Sequence, residues 1–317
     1  MVIYTRERGI IVGYAQQFSI KDLEHFSGVK SHTIRMWEQR YGLLTPQRTA
    51  TNIRYYSGED LKKLLNVAML LSNGYKISKV AAMGSQALAD AVMRVQQEGG
   101  SHDAFLNMLK ISMLNYDEAL FRNVSRAYTE AHGFDRTVRE LYLPFLSQVG
   151  ILWLTDAICP AHEHFISHLL RQVIYARVES LPVPEARNEE PVVVHYLPEL
   201  EIHDISLLFM HCLAVEAGKR SIFLGASVPF EDLLDVAKQF PSIHFVSYCT
   251  TVPSTAGAAE YVDKVQRHFD ESPHVFHLGG KMFEGVETTS SVHLYTDGGA
   301  WAAGVLGGEA HAQSHNN

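Results

Sequence analysis

Residues 18–61 read FSIKDLEHFSGVKSHTIRMWEQRYGLLTPQRTATNIRYYSGEDL, and this segment decides the fold of the N-terminal part of the chain. Its first apolar residues recur at helical spacing, Gly28 marks a tight turn, and a second helix is predicted from about Lys30 to Tyr41. On this second helix Ile34 and Tyr41 share an inward face, with Trp37 between them. The opposite stripe is polar and basic, as a helix that enters the major groove of DNA requires: His32, Arg35, Met36, Gln39 and Arg40.

The stretches SGVKSHTIRMWEQRYGLL and RYYSGEDLKKL, in this order, resemble the N-terminal domain of the MerR family of transcription regulators over roughly residues 18–85. The resemblance implies an all-α winged helix-turn-helix that binds double-stranded operator DNA, with RNA polymerase as a further partner. It also implies which residues face the duplex. These are His32, Thr33 and Arg35 on the recognition helix, and Arg48, Arg54 and Tyr56 on the wing.

Composition and charge indicate that different parts of the chain have different functions. The 317 residues suggest two or three domains, and no apolar run approaches the ~20 residues that span a bilayer. Residues 1–85 carry a net charge of +6 within a chain of −8, which leaves −14 for the remainder. We therefore expect one basic module on DNA and an acidic part that avoids it. Three widely spaced cysteines and the absence of a signal-peptide pattern in residues 1–14 predict a cytoplasmic protein.

The pattern of apolar residues predicts two further folded parts. Four amphipathic helices between Asp103 and Ala176 indicate a four-helix bundle. After a segment rich in proline and charge, strands alternate with helices, which predicts an α/β doubly wound parallel sheet of the Rossmann-like type. The predicted domains are residues 1–85, a bundle over 86–182, a linker over 183–191, the α/β domain over 192–305, and a flexible tail over 306–317.

Ligands of an open parallel sheet bind outside the carboxyl ends of its strands, so the loops that follow the strands predict a site. Those loops contain a carboxylate, an imidazole, hydroxyl groups and glycines: Glu201, His203, Gly225, Ser247, Thr251, Gly279 and Gly280. Hydroxyl groups and accessible backbone amides suit a polar, phosphate-bearing ligand.

This set of loops resembles the cobalamin-binding domain, whose pattern is Asp/Glu-x-His-x-x-Gly, then a serine or threonine loop, then Gly-Gly. The sequence has Glu201-Ile202-His203-Asp204-Ile205-Ser206, then Ser247, then Gly279-Gly280. The resemblance implies that His203 is the lower axial ligand of cobalt and that Glu201 holds its other ring nitrogen. Ser206 stands where the family has glycine, close to the ligand's tail. An alternative is that His203 caps a helix or pairs with Asp204.

Within the bundle, Trp153 is followed ten residues later by Glu163-His164. This spacing resembles the light-dependent, CarH-like regulators, in which a bundle covers the upper face of adenosylcobalamin. The resemblance implies that Trp153, Glu163 and His164 lie beside the adenosyl group, and that the chain forms dimers or tetramers. Those regulators carry a histidine after the tryptophan, and this chain has Leu154.

Other readings remain open. Cys159, His162, His164 and His168 lie within ten residues and allow a zinc site. No catalytic motif is present, and there is no room for the substrate barrel of a cobalamin-dependent methyl-transfer enzyme, so we predict a regulator and not an enzyme. The runner-up is the same architecture without cobalamin dependence or with another tetrapyrrole, since Ser206 and Leu154 depart from the family pattern.

Overall fold

The structure, a computed structural model, describes residues 17–49, 51–97, 101–154, 158–183, 190–295, 301 and 304–306. The chain divides into an N-terminal unit, which ends at Leu169, and a C-terminal unit, which begins at Leu170. The segment before residue 17, linker residues 184–189 and the tail from residue 307 lie outside the described residues, as do the side chains of Trp153 and Leu154.

The N-terminal unit is helical apart from one short antiparallel hairpin. In chain order its elements are α1 (Ile20–Ser27), α2 (Ser31–Tyr41), β1 (Gln47–Arg48), β2 (Arg54–Tyr55), α3 (Gly58–Ser72), α4 (Ile77–Ala81), α5 (Ser85–Gln97), α6 (His102–Asn115), α7 (Glu118–His132), α8 (Phe134–Arg136), a π-helical turn (Thr137–Tyr142), α9 (Leu143–Leu154) and the first half of α10 (Pro160–Glu179). The predicted helix-turn-helix, wing and helical segments of the bundle are confirmed. The π-helical turn was not predicted.

The helix-turn-helix begins and ends where local chemistry requires it. Ser19 and Asp22 form a reciprocal capping box that satisfies exposed amides at the start of α1. Gly28 and Gly42 end α1 and α2 with φ values of +71° and +59°, a conformation that glycine adopts without strain. Ile34 and Trp37 are buried, so α2 keeps its predicted inward face.

The wing is anchored to the rest of the N-terminal unit by Tyr56. Its backbone pairs with Phe18, the residue before the first cap, through hydrogen bonds of 2.9 and 2.8 Å. Its hydroxyl donates to Oε1 of Glu38 on α2 at 2.5 Å, and the side chain is fully buried. One residue therefore fixes the wing to the recognition helix.

Lys110 on α6 makes a buried polar contact with α1. Its ammonium group donates to the backbone oxygen of Phe26 at 2.6 Å, and only 5% of the residue is exposed. Burial lowers the pKa of Lys110 to about 8, against the opposing effect of the Asp103 carboxylate. The first helix of the bundle thus holds the end of the first helix of the helix-turn-helix.

The C-terminal unit is an α/β fold with a parallel sheet. Its elements are β3 (Val192–Pro198), α11 (Ile205–Glu216), β4 (Ser221–Val228), α12 (Phe230–Ala237), β5 (Ile243–Tyr248), α13 (Ala258–Phe269), β6 (Val275–Gly279), a 3₁₀ turn (Lys281–Phe283) and β7 (Val292–Tyr295). The strand order is β4-β3-β5-β6-β7 and all pairs are parallel. Side chains of α12 and α13 pack on one sheet face around Phe245 and Phe276. Among the described residues, no helix combines the length and apolarity needed to cross a bilayer.

Two features of the sheet differ from the prediction. The fifth strand, β7, was missed because its four residues lie at the sheet edge and give too short an apolar pattern. Gly225 was predicted to lie in the loop that follows its strand, and this is wrong. β4 continues to Val228, because the pairing with β3 resumes after a shift of register near Gly225.

We expect the variant Lys110→Met to abolish one component of the pH dependence of stability. The Lys110 pKa falls from 10.5 to about 8 on folding, so between these values the unfolded chain binds more protons. The free energy of unfolding should therefore rise with pH across this window, by roughly 3 kcal/mol in the wild type relative to the variant. Urea unfolding of both proteins at the two ends of the window measures this. An equal change in both would contradict the assigned burial of a charged lysine.

Candidate functional site

A buried carboxylate organises the edge of the sheet where β3 and β5 end. Glu201, in the loop after β3, is fully buried. Its Oε2 accepts hydrogen bonds from the backbone amides of Thr250 at 3.0 Å, Thr251 at 2.6 Å and Val252 at 2.9 Å, all in the loop after β5. One side chain therefore joins two loops that are about fifty residues apart in sequence.

The same carboxylate holds His203. Its Oε1 lies 2.6 Å from Nδ1 of His203 and accepts the His203 backbone amide at 3.0 Å. Burial favours a higher pKa of Glu201, but the hydrogen bonds from His203, Thr251 and Val252 outweigh burial and lower this pKa. The carboxylate is thus ionised at neutral pH, and it favours a proton on Nδ1 of His203.

The geometry of His203 suits a metal donor. With Nδ1 turned to Glu201, Nε2 lies on the opposite side of a ring that is 49% exposed. A carboxylate behind an imidazole fixes its tautomer and raises its basicity toward a metal. Leu200 and Ile202 flank Glu201 and are 59% and 55% exposed. A half-exposed imidazole held by a buried carboxylate, in a loop with exposed apolar side chains, fits a large planar metal complex such as a corrinoid.

The neighbours of His203 have partners of their own. Asp204 lies 2.7 Å from Nη2 of Arg171 and also accepts from its Nε, whereas Nδ1 of His203 contacts Glu201. Ser206 lies half-buried in the first turn of α11. Thr251 places its hydroxyl 3.1 Å from Oε2 of Glu201, which adds to the loop clamp.

The predicted glycines and serine of the sheet edge are enclosed by the protein. Gly225 is buried inside β4, and its predicted loop position is therefore incorrect. Ser247 is fully buried, with its hydroxyl 3.5 Å from the Cys249 thiol. A Cβ on Gly279 would lie 2.5 Å from the Tyr248 ring, and one on Gly280 would lie 2.4 Å from the backbone oxygen of Cys249. These two glycines are required by packing within the protein itself.

In the bundle, the residues predicted beside an upper ligand are only partly described. Glu163 accepts a hydrogen bond from Ser167, one turn further along α10, and His164 is exposed. His162 is buried, stacked on Tyr116 with ring centroids 4.8 Å apart, and burial lowers its pKa. No group of three potential metal ligands occurs among the described residues, so the zinc alternative has no support in this part of the chain.

The side chains predicted to face DNA lie mainly on one exposed surface of α2 and on the wing. His32, Arg35 and Arg48 are exposed, and Thr33 and Arg54 are half-buried. In the wing, Nη1 of Arg48 donates to Oδ1 of Asn52 at 2.6 Å, which orders the turn between β1 and β2. Contact of these residues with DNA stays a prediction.

Tyr56 is a correction to the predicted DNA surface. It was expected to contact a phosphate, but it is fully buried and its hydroxyl binds Glu38. Side chains along a strand alternate between its two faces, and Tyr56, which follows β2 and pairs with Phe18, lies on the face that is turned to the core.

Sequence reasoning also missed Thr250 and Val252 at the sheet edge. They act through backbone amides, which no residue type signals.

Comparison with known proteins gives matches to the helix-turn-helix region and to the bundle. The family model described as "MerR HTH family regulatory protein" matches residues 18–86, and the one described as "B12 binding domain" matches residues 106–177. The HTH-type transcriptional repressor CarH of Myxococcus xanthus is 30% identical over 222 residues, which cover 68% of this chain and 73% of CarH.

Two further proteins are similar. The HTH-type transcriptional repressor CarA of Myxococcus xanthus is 26% identical over 220 residues, covering 66% of this chain and 68% of CarA. The solved structure of the Methanosarcina barkeri monomethylamine corrinoid protein is 15% identical, with a TM-score of 0.48, and covers 65% of this chain and 98% of that one.

We expect Glu201→Gln to destabilise the sheet edge in a pH-dependent way. Glutamine keeps the shape but turns an NH₂ group toward backbone donors, at a cost of about 2–4 kcal/mol at neutral pH. Because folding lowers the pKa of Glu201, its contribution is present above the unfolded pKa and is lost as pH falls below it. The difference in unfolding free energy between variant and wild type should shrink in acid. Denaturant titrations at neutral and acid pH measure it, with the exposed Glu260→Gln as control. A difference independent of pH would contradict the charged clamp.

Proposed function

The chain belongs to the MerR-type transcriptional regulators that carry a B12-binding domain and is a DNA-binding regulator that senses cobalamin, and we propose that His203 ligates its cobalt and that α2 and the wing read its operator. The observation that carries the cobalt assignment is the contact of Nδ1 of an exposed His203 with the buried carboxylate of Glu201.

His203 and Glu201 have different proposed roles at the sheet edge: His203 ligates cobalt, and Glu201 orients His203. Cobalamin, when bound, would supply a cobalt ion that can accept a nitrogen ligand from the protein. Glu201 keeps the proton on Nδ1 of His203 and holds the ring against rotation, which leaves Nε2 as the nitrogen proposed to ligate cobalt. Leu200 and Ile202 add exposed apolar surface to the same loop. The remaining residues proposed to contact the cofactor are Ser206 and Thr251 and, on the bundle, Trp153, Glu163 and His164.

The cofactor proposed is adenosylcobalamin, on the strength of the resemblance to the light-dependent regulators. The ligand acts by population shift, since it favours whichever assembly state of the chain binds it more tightly. Dimers or tetramers formed in that state would set the spacing of DNA-binding regions on an operator in the cytoplasm. RNA polymerase is the further partner proposed, and no catalytic activity is assigned.

A second candidate is a regulator of the same architecture that does not depend on cobalamin. Three observations favour it: Ser206 replaces the family's glycine, Leu154 cannot ligate a metal, and the ring of Tyr248 lies against Gly279. This candidate predicts DNA binding that cobalamin leaves unchanged, as would a regulator that accepts another tetrapyrrole.

The first experiment is absorption spectroscopy of the purified chain with adenosylcobalamin, in darkness and after green light, with size-exclusion chromatography of both samples. Retained corrinoid with a light-dependent change in spectrum and assembly would support a photoreceptor. Retention without a light response would support a cobalamin sensor. Failure to retain any corrinoid would favour the second candidate.

We expect His203→Ala to weaken cobalamin binding by at least about tenfold, while His268→Ala on α13, which removes another exposed histidine of the C-terminal unit, leaves it unchanged. Electron paramagnetic resonance of bound cob(II)alamin gives a direct readout. Labelling the protein's histidines with ¹⁵N should change the nitrogen splitting from triplets to doublets, because the lower ligand comes from the protein. Triplets that persist would assign the ligand to the cofactor's own base and remove His203 from this role.

We expect Arg48→Gln on the wing to weaken DNA binding without changing sequence preference. Loss of one phosphate contact reduces the slope of log affinity against log salt concentration by about 1. The measurement is a salt titration with a duplex selected from a random library by the wild-type chain, and Lys238→Gln, an exposed lysine of the C-terminal unit, is the control. An unchanged slope would place Arg48 away from the DNA.

A further inference from the structure

The outward face of α2 carries four exposed side chains of different chemistry. With Ile34 and Trp37 buried, the helical screw of about 100° per residue puts the centre of the opposite face on His32, Arg35, Met36 and Gln39, all of which are exposed. We call these four residues the reading stripe. Three of them are polar or charged, and Met36 alone in the stripe is apolar.

The position of Met36 distinguishes it from an ordinary exposed apolar residue. It is 47% exposed, although it lies on a helix whose exposed face is otherwise polar and basic. Single exposed apolar residues are common on protein surfaces and need no explanation by themselves. Met36, however, lies one helical turn from His32 and directly after Arg35, at the centre of the surface that the proposed function assigns to DNA.

The major groove offers one apolar group to such a residue. Each base pair there presents hydrogen-bond donors and acceptors, and only thymine adds a methyl group, at C5. The neighbours of Met36 in the reading stripe suit the polar edges, since an arginine fits guanine and a glutamine fits adenine. The unbranched, polarisable methionine side chain adapts well to a small apolar partner.

We infer that Met36 packs against the C5 methyl group of a thymine in the operator and so determines an A·T pair within each half-site. This inference rests on the proposed function, because it requires that α2 enters the major groove. The positive charge of the DNA-binding region does not determine which base is read at this position. The apolar side chain of Met36 selects the C5 methyl group of thymine.

The test replaces thymines by deoxyuridine, one at a time, in the duplex selected by the wild-type chain. Deoxyuridine removes only the methyl group and preserves base pairing. At one thymine per half-site we expect the wild type to lose roughly fourfold in affinity, the effect of one buried methyl group. Met36→Ala should bind the unmodified duplex more weakly and show no penalty at that thymine. Met36→Leu, which keeps an apolar side chain, should retain the penalty.

Val183→Ala removes another exposed apolar side chain outside α2 and the wing, and it should keep the full pattern of deoxyuridine penalties. Three results would overturn the inference. These are the absence of any deoxyuridine penalty in the wild type, penalties in Met36→Ala equal to those of the wild type, and a changed oligomeric state of Met36→Ala on size-exclusion chromatography, which would make Met36 a subunit contact. Failure of the wild type to select any duplex would instead contradict the proposed DNA binding itself.

Discussion

The chemistry of the C-terminal unit depends on one buried charge. An ionised carboxylate is costly to bury unless it is fully hydrogen-bonded, and Glu201 meets that condition with amides from two loops and with the ring of His203. Those amides are in place only because β3 and β5 are neighbours in the sheet. The strand pairing therefore holds the carboxylate, and the carboxylate orients the imidazole. The orientation of the proposed metal donor at this edge is therefore a consequence of the sheet topology.

The DNA-binding region uses an analogous device in its own unit. Tyr56 links the wing to α2 through Glu38 and links both to the chain before α1 through Phe18. A duplex that contacts α2 and the wing together needs them at a fixed separation, and a buried hydrogen bond between the two provides it. Lys110 extends the same rigidity to the bundle, because it holds the end of α1 from α6. We expect a movement of α6 to displace α1 as well. If the two helices separated, the Lys110 ammonium group and the Phe26 backbone oxygen would each lose a buried hydrogen-bond partner.

The order of the regions along the chain relates these contacts to regulation. The N-terminal unit contains the helices that match the MerR model and most of the residues that match the B12 binding domain model, which extends from residue 106 to residue 177. A regulator needs a ligand to change the population of states that differ in DNA binding, and the contact of Lys110 with Phe26 joins the bundle to the helix-turn-helix within this unit. The C-terminal unit contributes the proposed cobalt ligand from a loop whose position is fixed by its own sheet.

The sequence by itself determined most of the helices, four of the five strands and the parallel class of the sheet, because helical periodicity and short apolar runs are local properties. The pairing of Glu201 with His203 was implied by the resemblance of the sequence to the cobalamin-binding domain. Tertiary structure decided what depends on residues distant in sequence. Tyr56 is buried by Phe18 and Glu38, the amides that hold Glu201 come from a loop about fifty residues away, and β4 extends past Gly225 because β3 offers it hydrogen bonds. Such partners leave no mark in local composition, since a backbone amide is the same in every residue and a strand continues wherever its neighbour pairs with it.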